Sequence, residues 1–292
     1  MKDFCKKHTV IFTLGIILIA IFSKLVTDFL RSFFPENRMM YFLMEAIVQF
    51  SVSAILFIFM VKLGYTKKAD KKNIALGFAL CSIMLLFMLY NIIPFILINP
   101  ILLDIQWGNL VAIILLFLSV GLIEEISMRG LLLPLFCEKW KDKKHFYLKA
   151  AILTSFIFGV IHLNGSVKYF ITHGYMPPDQ LVGNILQVIW ATGFGLFAAG
   201  ITMYTRNIIS IILFHALWDI PALLIYGLVP YASAEFYVRQ QMLTLERVFD
   251  KYGILPDFPF AATLIFYLIE LAYIIIGIIL ILKAEKKYTK TN

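Results

Sequence analysis

The sequence predicts an all-α, polytopic membrane protein of about eight transmembrane helices, and three observations carry that reading. Of 292 residues, 61% are hydrophobic and only 15% charged, where a soluble domain carries about 25% charged residues. The mean hydropathy of +0.87 points to lipid as the solvent. Apolar runs of membrane-spanning length recur from one end of the chain to the other. The lysines and arginines behind the net charge of +8 gather in alternate connections between those runs, as they do in cytoplasmic loops.

The spans fall near residues 9–30, 40–63, 74–99, 107–136, 149–168, 181–205, 207–227 and 259–283. The first follows Lys2, Lys6 and Lys7, a pattern shared with cleaved signal peptides. Its apolar stretch is long and Ser23-Lys24-Leu25 is a poor cleavage site, so it reads as a retained helix. Lys67–Lys72 separates the second span from the third, and Lys139–Lys149 the fourth from the fifth. The sixth carries a small-residue face of Ala191, Gly195 and Ala199, which reads as internal helix packing. Arg206 precedes the seventh, and Lys283–Lys290 follows the eighth. The other connections, Arg31–Met39, Asn99–Gln106, Asn164–Gln180 and Leu228–Pro259, are mixed, neutral or slightly acidic. The last of these intersperses Glu235, Arg239, Glu246, Arg247, Asp250 and Lys251 with spaced apolar residues, the pattern of an amphipathic helix on the outer interface. The positive-inside rule then has one solution: eight helices with both N- and C-termini cytoplasmic. Residues 1–292 form a single integral membrane domain, expected as a multi-pass protein of a cell membrane, read as a bacterial plasma membrane.

Several function classes drop out here. The basic charge sits in short loops rather than on a nucleic-acid-binding face, so no nucleic-acid partner is expected. Neither type of Gly-rich nucleotide loop is present. Cys5, Cys81 and Cys137 have neither metal-type spacing nor a disulfide framework, and read as packing residues. No repeat is visible. The sequence leaves the oligomeric state open.

Ionisable groups at depth are read in three spans. In the fourth, Gly121 to Gly130 reads Gly-Leu-Ile-Glu-Glu-Ile-Ser-Met-Arg-Gly. A charge at the centre of a hydrophobic span costs several kcal/mol unless it is paired or faces a wet cavity. Glu125 and Arg129 are four apart and share a helix face, so they read as a structural ion pair. Glu124 is rotated by about 100° from that face and reads as the working carboxylate; the other reading is one buried structural network of all three. The fifth span carries Phe158-Gly159-Val160-Ile161-His162 and the seventh His215-Ala216-Leu217-Trp218-Asp219. Glu124, His162 and His215 lie about 25, 21 and 13 Å into their helices, and each reaches the central part of a bilayer about 30 Å thick. Asp219, one turn beyond His215, can hold the imidazole in one tautomer. Phe158 reads as a packing residue that walls the site. The structural alternatives are a histidine bonded to a backbone carbonyl for His162 and a polar clamp for His215 with Asp219. His8 and His145 lie in basic segments and His173 in an outer loop, as ordinary polar histidines.

The three motifs, Glu124-Glu125-x-x-x-Arg129, Phe158-x-x-x-His162 and His215-x-x-x-Asp219, together resemble those of the CAAX-protease and bacteriocin-processing (CPBP, or Abi) family of intramembrane proteases. The resemblance covers about residues 107–227, the expected catalytic core. One departure is Asp219, where the eukaryotic prenyl-protein proteases of the family have Asn. The resemblance implies hydrolysis of a peptide bond within the membrane, in a peptide leader, a pheromone or bacteriocin precursor, or a CAAX-type lipidated protein. Elementary chemistry agrees, since a carboxylate in a low-dielectric cavity can act as general base on water. Glu124 would take the proton with His162 assisting, and His215 with Asp219 behind it would donate to the oxyanion. The family is also labelled a metalloprotease. A metal-free, glutamate-dependent mechanism is the expectation, since the zincin pattern His-Glu-x-x-His is absent. If zinc is bound, its ligands would be His162, His215 and either Glu124 or Asp219. The expected partners are membrane lipid and the substrate polypeptide. Two other classes stay open: a proton-coupled transporter using the same groups as a relay, and a non-catalytic immunity or scaffold protein. The first lacks the inverted repeat and paired broken helices of transporters, and intact motif residues weigh against the second.

Overall fold

The computed structural model describes residues 2–34, 37–66, 70–82, 85, 107–228 and 258–291. Every regular element among them is helical: α1 Lys2–Lys7, α2 Thr9–Arg31, α3 Arg38–Lys62, α4 at 71–82, α5 Trp107–Glu125, α6 Leu133–Lys139, α7 Phe146–Ile161, α8 Asn164–His173, α9 Pro178–Thr205, α10 Ile209–Leu228 and α11 Phe258–Thr291. A π-helical turn, Ile126–Leu132, joins α5 to α6 within one continuous rod.

Five described helical stretches are long and apolar enough to cross a membrane: Thr9–Arg31, Met39–Lys62, Leu110–Lys139, Phe146–His173 and Gln180–Thr205. They coincide with the first, second, fourth, fifth and sixth expected spans. α10 and α11 stand at the seventh and eighth, with 20 and 34 residues. Most of the expected third span, 74–99, and the interior of the Leu228–Pro259 connection lie outside the described residues. The fifth expected span is not one helix. α7 stops at Ile161, a turn holds His162 and Leu163, and α8 restarts at Asn164.

The bundle closes around Phe197, Phe214, Leu131, Leu132, Leu135, Ile201 and Ile281, all fully buried. Large apolar side chains such as Phe22, Leu25, Ile55, Phe156 and Ile189 point outward, as lipid rather than water would permit. Two glycines set the helix spacing at the site. A Cβ on Gly121 would lie 2.8 Å from the Ile212 carbonyl oxygen, so α5 and α10 touch backbone to backbone. One on Gly159 would lie 2.6 Å from the Val188 carbonyl oxygen, which does the same for α7 and α9. The expected small-residue face of the sixth span also packs internally: a Cβ on Gly195 would lie 2.8 Å from that of Ser155. Small residues bring the backbones of membrane helices this close.

A buried polar cluster joins α2, α3 and α5, and sequence reasoning did not single it out. Glu45 is buried, takes Lys24 Nζ at 3.2 Å and Gln49 Nε2 at 3.3 Å on one oxygen, and pairs with Arg31 through the other. Arg31 also reaches Asp28 at 3.2 Å and stacks over Tyr41 at 3.3 Å. Gln49 accepts from Ser119 Oγ at 3.0 Å. Glu45 lies seven residues into α3, and packing of α2 across it takes it out of solvent.

Three basic segments meet at one end of the bundle. Lys2 pairs with Glu138 at the end of α6, Lys6 reaches the same carboxylate at 3.3 Å, and Tyr65 beyond α3 donates to it at 3.4 Å. At the same end of α6, the connection to α7 faces α11, with His145 Nδ1 3.8 Å from Glu285 and Tyr288 packed on Phe146 and Tyr147.

Candidate active site

The site is built where α5 gives way to the π turn. π turns are rare and occur mostly at functional sites. Here the wider turn carries Ile126 to Leu132, all buried, and turns Arg129 inward. Glu125 is 0% exposed and Arg129 3%. Two charges so far from water must satisfy each other and their remaining lone pairs and protons locally. Arg129 Nη1 donates to Glu125 Oε1 at 3.0 Å, and Nη2 donates to the Gly195 carbonyl of α9 at 3.2 Å. The guanidinium lies over the Phe158 ring at 4.7 Å, a cation–π contact worth most when desolvated. Phe158 is thus more than a wall: its ring also meets His162 edge-on at 4.7 Å and His215 at 6.0 Å.

Glu125 also holds His215. Nδ1–H donates to Glu125 Oε1 at 2.7 Å, a charge-assisted bond that sets the tautomer and the ring plane. The structure thereby corrects one expected contact. Asp219 does not stand behind the imidazole; it sits on the Nε2 side, with Oδ2 at 3.7 Å. Glu124 Oε2 approaches the same nitrogen at 3.5 Å. The physical reason is tertiary: α5 and α10 are in backbone contact at Gly121, which brings Glu125 closer to Nδ1 than one turn of α10 can bring Asp219. His215 therefore has one nitrogen fixed in the protein interior and the other flanked by two carboxylates.

His162 caps the end of α7, and its Nδ1–H donates to the Phe158 carbonyl at 2.8 Å. The bond uses one nitrogen, and the residue also lines a cavity. The break after Ile161 is what lets the ring turn towards α10. Glu124, His162, His215 and Asp219 all line one cavity of about 60 Å³, with Phe158, Trp190, Ala191, Phe194 and Trp218 as its apolar walls. That volume admits a few water molecules. Glu124 and Asp219 keep roughly a third of their side chains accessible, and His215 very little.

Trp190, Phe194 and Trp218 were not singled out from sequence. Trp218 stacks near Trp190 at 6.1 Å, and Phe194 near His215 at 4.8 Å. Trp218 lies inside the His215–Asp219 motif, and Trp190 with Phe194 recurs one turn apart; tryptophans in mid-span were the available signal.

Among the described residues, no group of three or more His, Cys, Asp or Glu side chains is arranged to hold a metal ion. His162 is turned by its bond to Phe158, and the remaining donors crowd a single nitrogen of His215.

Residues 106–221 match the family model for type II CAAX prenyl endopeptidase, Rce1-like. The matched segment contains Glu124, Glu125, Arg129, Phe158, His162, His215 and Asp219, the complete set of motif residues. No curated protein and no solved structure gives a significant match.

Proposed function

We propose that the segment 106–221, an Rce1-like domain of the CAAX-protease and bacteriocin-processing family, is the catalytic core of an intramembrane endopeptidase in which Glu124 activates water. The observation that carries this reading is the convergence of Glu124, His162, His215 and Asp219 on one small, otherwise apolar cavity. Glu124 and the free Nε2 of His162 hold a water molecule between them, and Glu124 takes its proton as the oxygen attacks the substrate carbonyl carbon. His215, as an imidazolium donating from Nδ1 to Glu125, offers Nε2–H to the developing oxyanion. Glu124 then passes its proton to the leaving amine, and a new carboxyl terminus and a free amine result. Trp190, Phe194 and Trp218 keep bulk water from the cavity, so these few charges act at low dielectric. The substrate would be a membrane-associated peptide or lipidated protein that reaches the cavity from the bilayer.

Asp219 is the least demanding member of this set. Its carboxylate adds charge near Nε2, but the oxyanion donor is oriented by Glu125. Asp219→Asn should retain cleavage of a fluorogenic membrane peptide within about tenfold, whereas His162→Ala should lose about 10²-fold, the lower range for general acid–base partners. Activity of the purified protein should survive a strong chelator. Zinc at one equivalent by elemental analysis, lost and restored together with activity, would mean that the glutamate mechanism is wrong.

The same reading sets the orientation. The ends that meet at Glu138 and Glu285 carry the basic clusters, so they would face the cytoplasm, with both termini there. Single cysteines introduced at Lys71, Lys143 or Lys287 in a cysteine-free background should resist impermeant thiol reagents in intact cells. Labelling of the Lys287 site from outside would overturn the orientation.

A further inference from the structure

We propose that a cleft between the α6–α7 connection and the end of α11 binds the headgroup of an anionic phospholipid, one that carries hydroxyl donors beyond its phosphate. The cleft has a volume of about 450 Å³ and is remote from the catalytic cavity in its lining. Lys141, Lys143, Lys144 and Lys286 line it, together with His145 and Glu285. All four lysines are exposed, and none is in a salt bridge among the described residues. Four ammonium groups face two carboxylates, Asp142 and Glu285, so the cleft as a whole attracts anions.

Its position selects a lipid over a soluble anion. The spans Leu110–Lys139 and Phe146–His173 end and begin on either side of the connection, so the cleft lies at the level of the membrane surface. Phe146 is buried at its inner side, and Leu282 on α11 is 40% exposed at its edge. A headgroup seated on the lysines can therefore run its acyl chains down the apolar flank of α11 without leaving the bilayer.

Glu285 sets the finer chemistry. It is buried, it lines the cleft, and its Oε2 has no hydrogen-bond partner among the described residues; the nearest cation-forming group is His145 Nδ1 at 3.8 Å. His145 is held there by a left-handed backbone, φ 56°, immediately before α7. A bare phosphate would set its oxygens against this carboxylate. A phosphoglycerol headgroup places its phosphate on the lysines and its hydroxyls, as donors, on Glu285 Oε2.

The test uses the full-length protein in neutral detergent, with binding of phosphatidylglycerol, phosphatidic acid and phosphatidylcholine followed by native mass spectrometry. Phosphatidylglycerol should bind at least about tenfold more tightly than phosphatidylcholine, given the contribution of each lysine at a membrane surface. The triple variant Lys143→Gln, Lys144→Gln, Lys286→Gln should lose that preference. A control that removes three charges from another basic loop, Lys67→Gln, Lys71→Gln, Lys72→Gln, should keep it. Glu285→Gln should narrow the preference for phosphatidylglycerol over phosphatidic acid. Equal loss in the two triple variants would reduce the site to diffuse basic surface and overturn the proposal. Displacement of the lipid by equimolar glycerol 3-phosphate would make the ligand a soluble phosphate and overturn the lipid assignment. Neither triple variant touches the catalytic cavity, so peptide cleavage should continue in both, and failure of the lipid site would leave the peptidase reading standing.

Discussion

Glu124→Gln should abolish cleavage of a fluorogenic membrane peptide, with a loss of about 10³-fold or more. Removal of a general base costs about 10²–10⁴-fold, and here no second carboxylate can take over. Glu125 is committed to Arg129 and His215, with no exposure to the cavity. Asp219 is engaged at His215 Nε2, with Oδ2 at 3.7 Å. Glutamine keeps the size and the hydrogen-bonding capacity of the side chain, and Glu124 is partly accessible, so the variant should insert and purify like the parent. Single-turnover assays with saturating substrate isolate the chemical step. Full cleavage by this variant would remove the catalytic assignment of Glu124. Loss of activity in Glu124→Gln but in neither histidine variant would keep Glu124 as the base and remove the assisting roles of His162 and His215.

The second large effect is on stability. Glu125→Gln leaves Arg129 buried without its counter-ion and exchanges the charged acceptor of His215 Nδ1 for a neutral one. Breaking a buried pair from one side costs about 3–5 kcal/mol, because the surviving charge is stranded. The variant should express at lower abundance and unfold at markedly lower temperature in detergent. Replacing both partners, Glu125→Gln with Arg129→Met, should recover part of that stability, since two neutral groups leave no stranded charge. It should not recover activity, because His215 still lacks the carboxylate that supports its imidazolium form. A double variant no more stable than Glu125→Gln alone would show that the pair contributes through packing rather than through charge.

The polar network around Glu45 and the tryptophans around the cavity show why some of the molecule was not legible in one dimension. The burial of Glu45 is a property of α2 lying across α3. Trp190 and Trp218 come from different helices, and they form one wall only after α9 and α10 have packed. Most of the expected third span and the interior of the outer connection lie outside the described residues.

Composition and spacing by themselves determined that this chain is helical and lives in lipid. Transfer energies act residue by residue, and a run of apolar residues has no other stable partner. Spacing along one helix likewise determined the Glu125–Arg129 pair, because residues four apart share a face even where the helix widens into a π turn. The three motifs resemble those of a known family, and their residues are the ones that gather around one cavity. Tertiary structure alone decided which nitrogen of His215 meets which carboxylate. In sequence Asp219 is the natural partner, one turn away. In the folded bundle Gly121 lets α5 and α10 touch, and Glu125, ninety residues distant, takes Nδ1 at 2.7 Å. Contacts between helices depend on how closely their backbones approach, and that distance is set by the side chains of both helices at once.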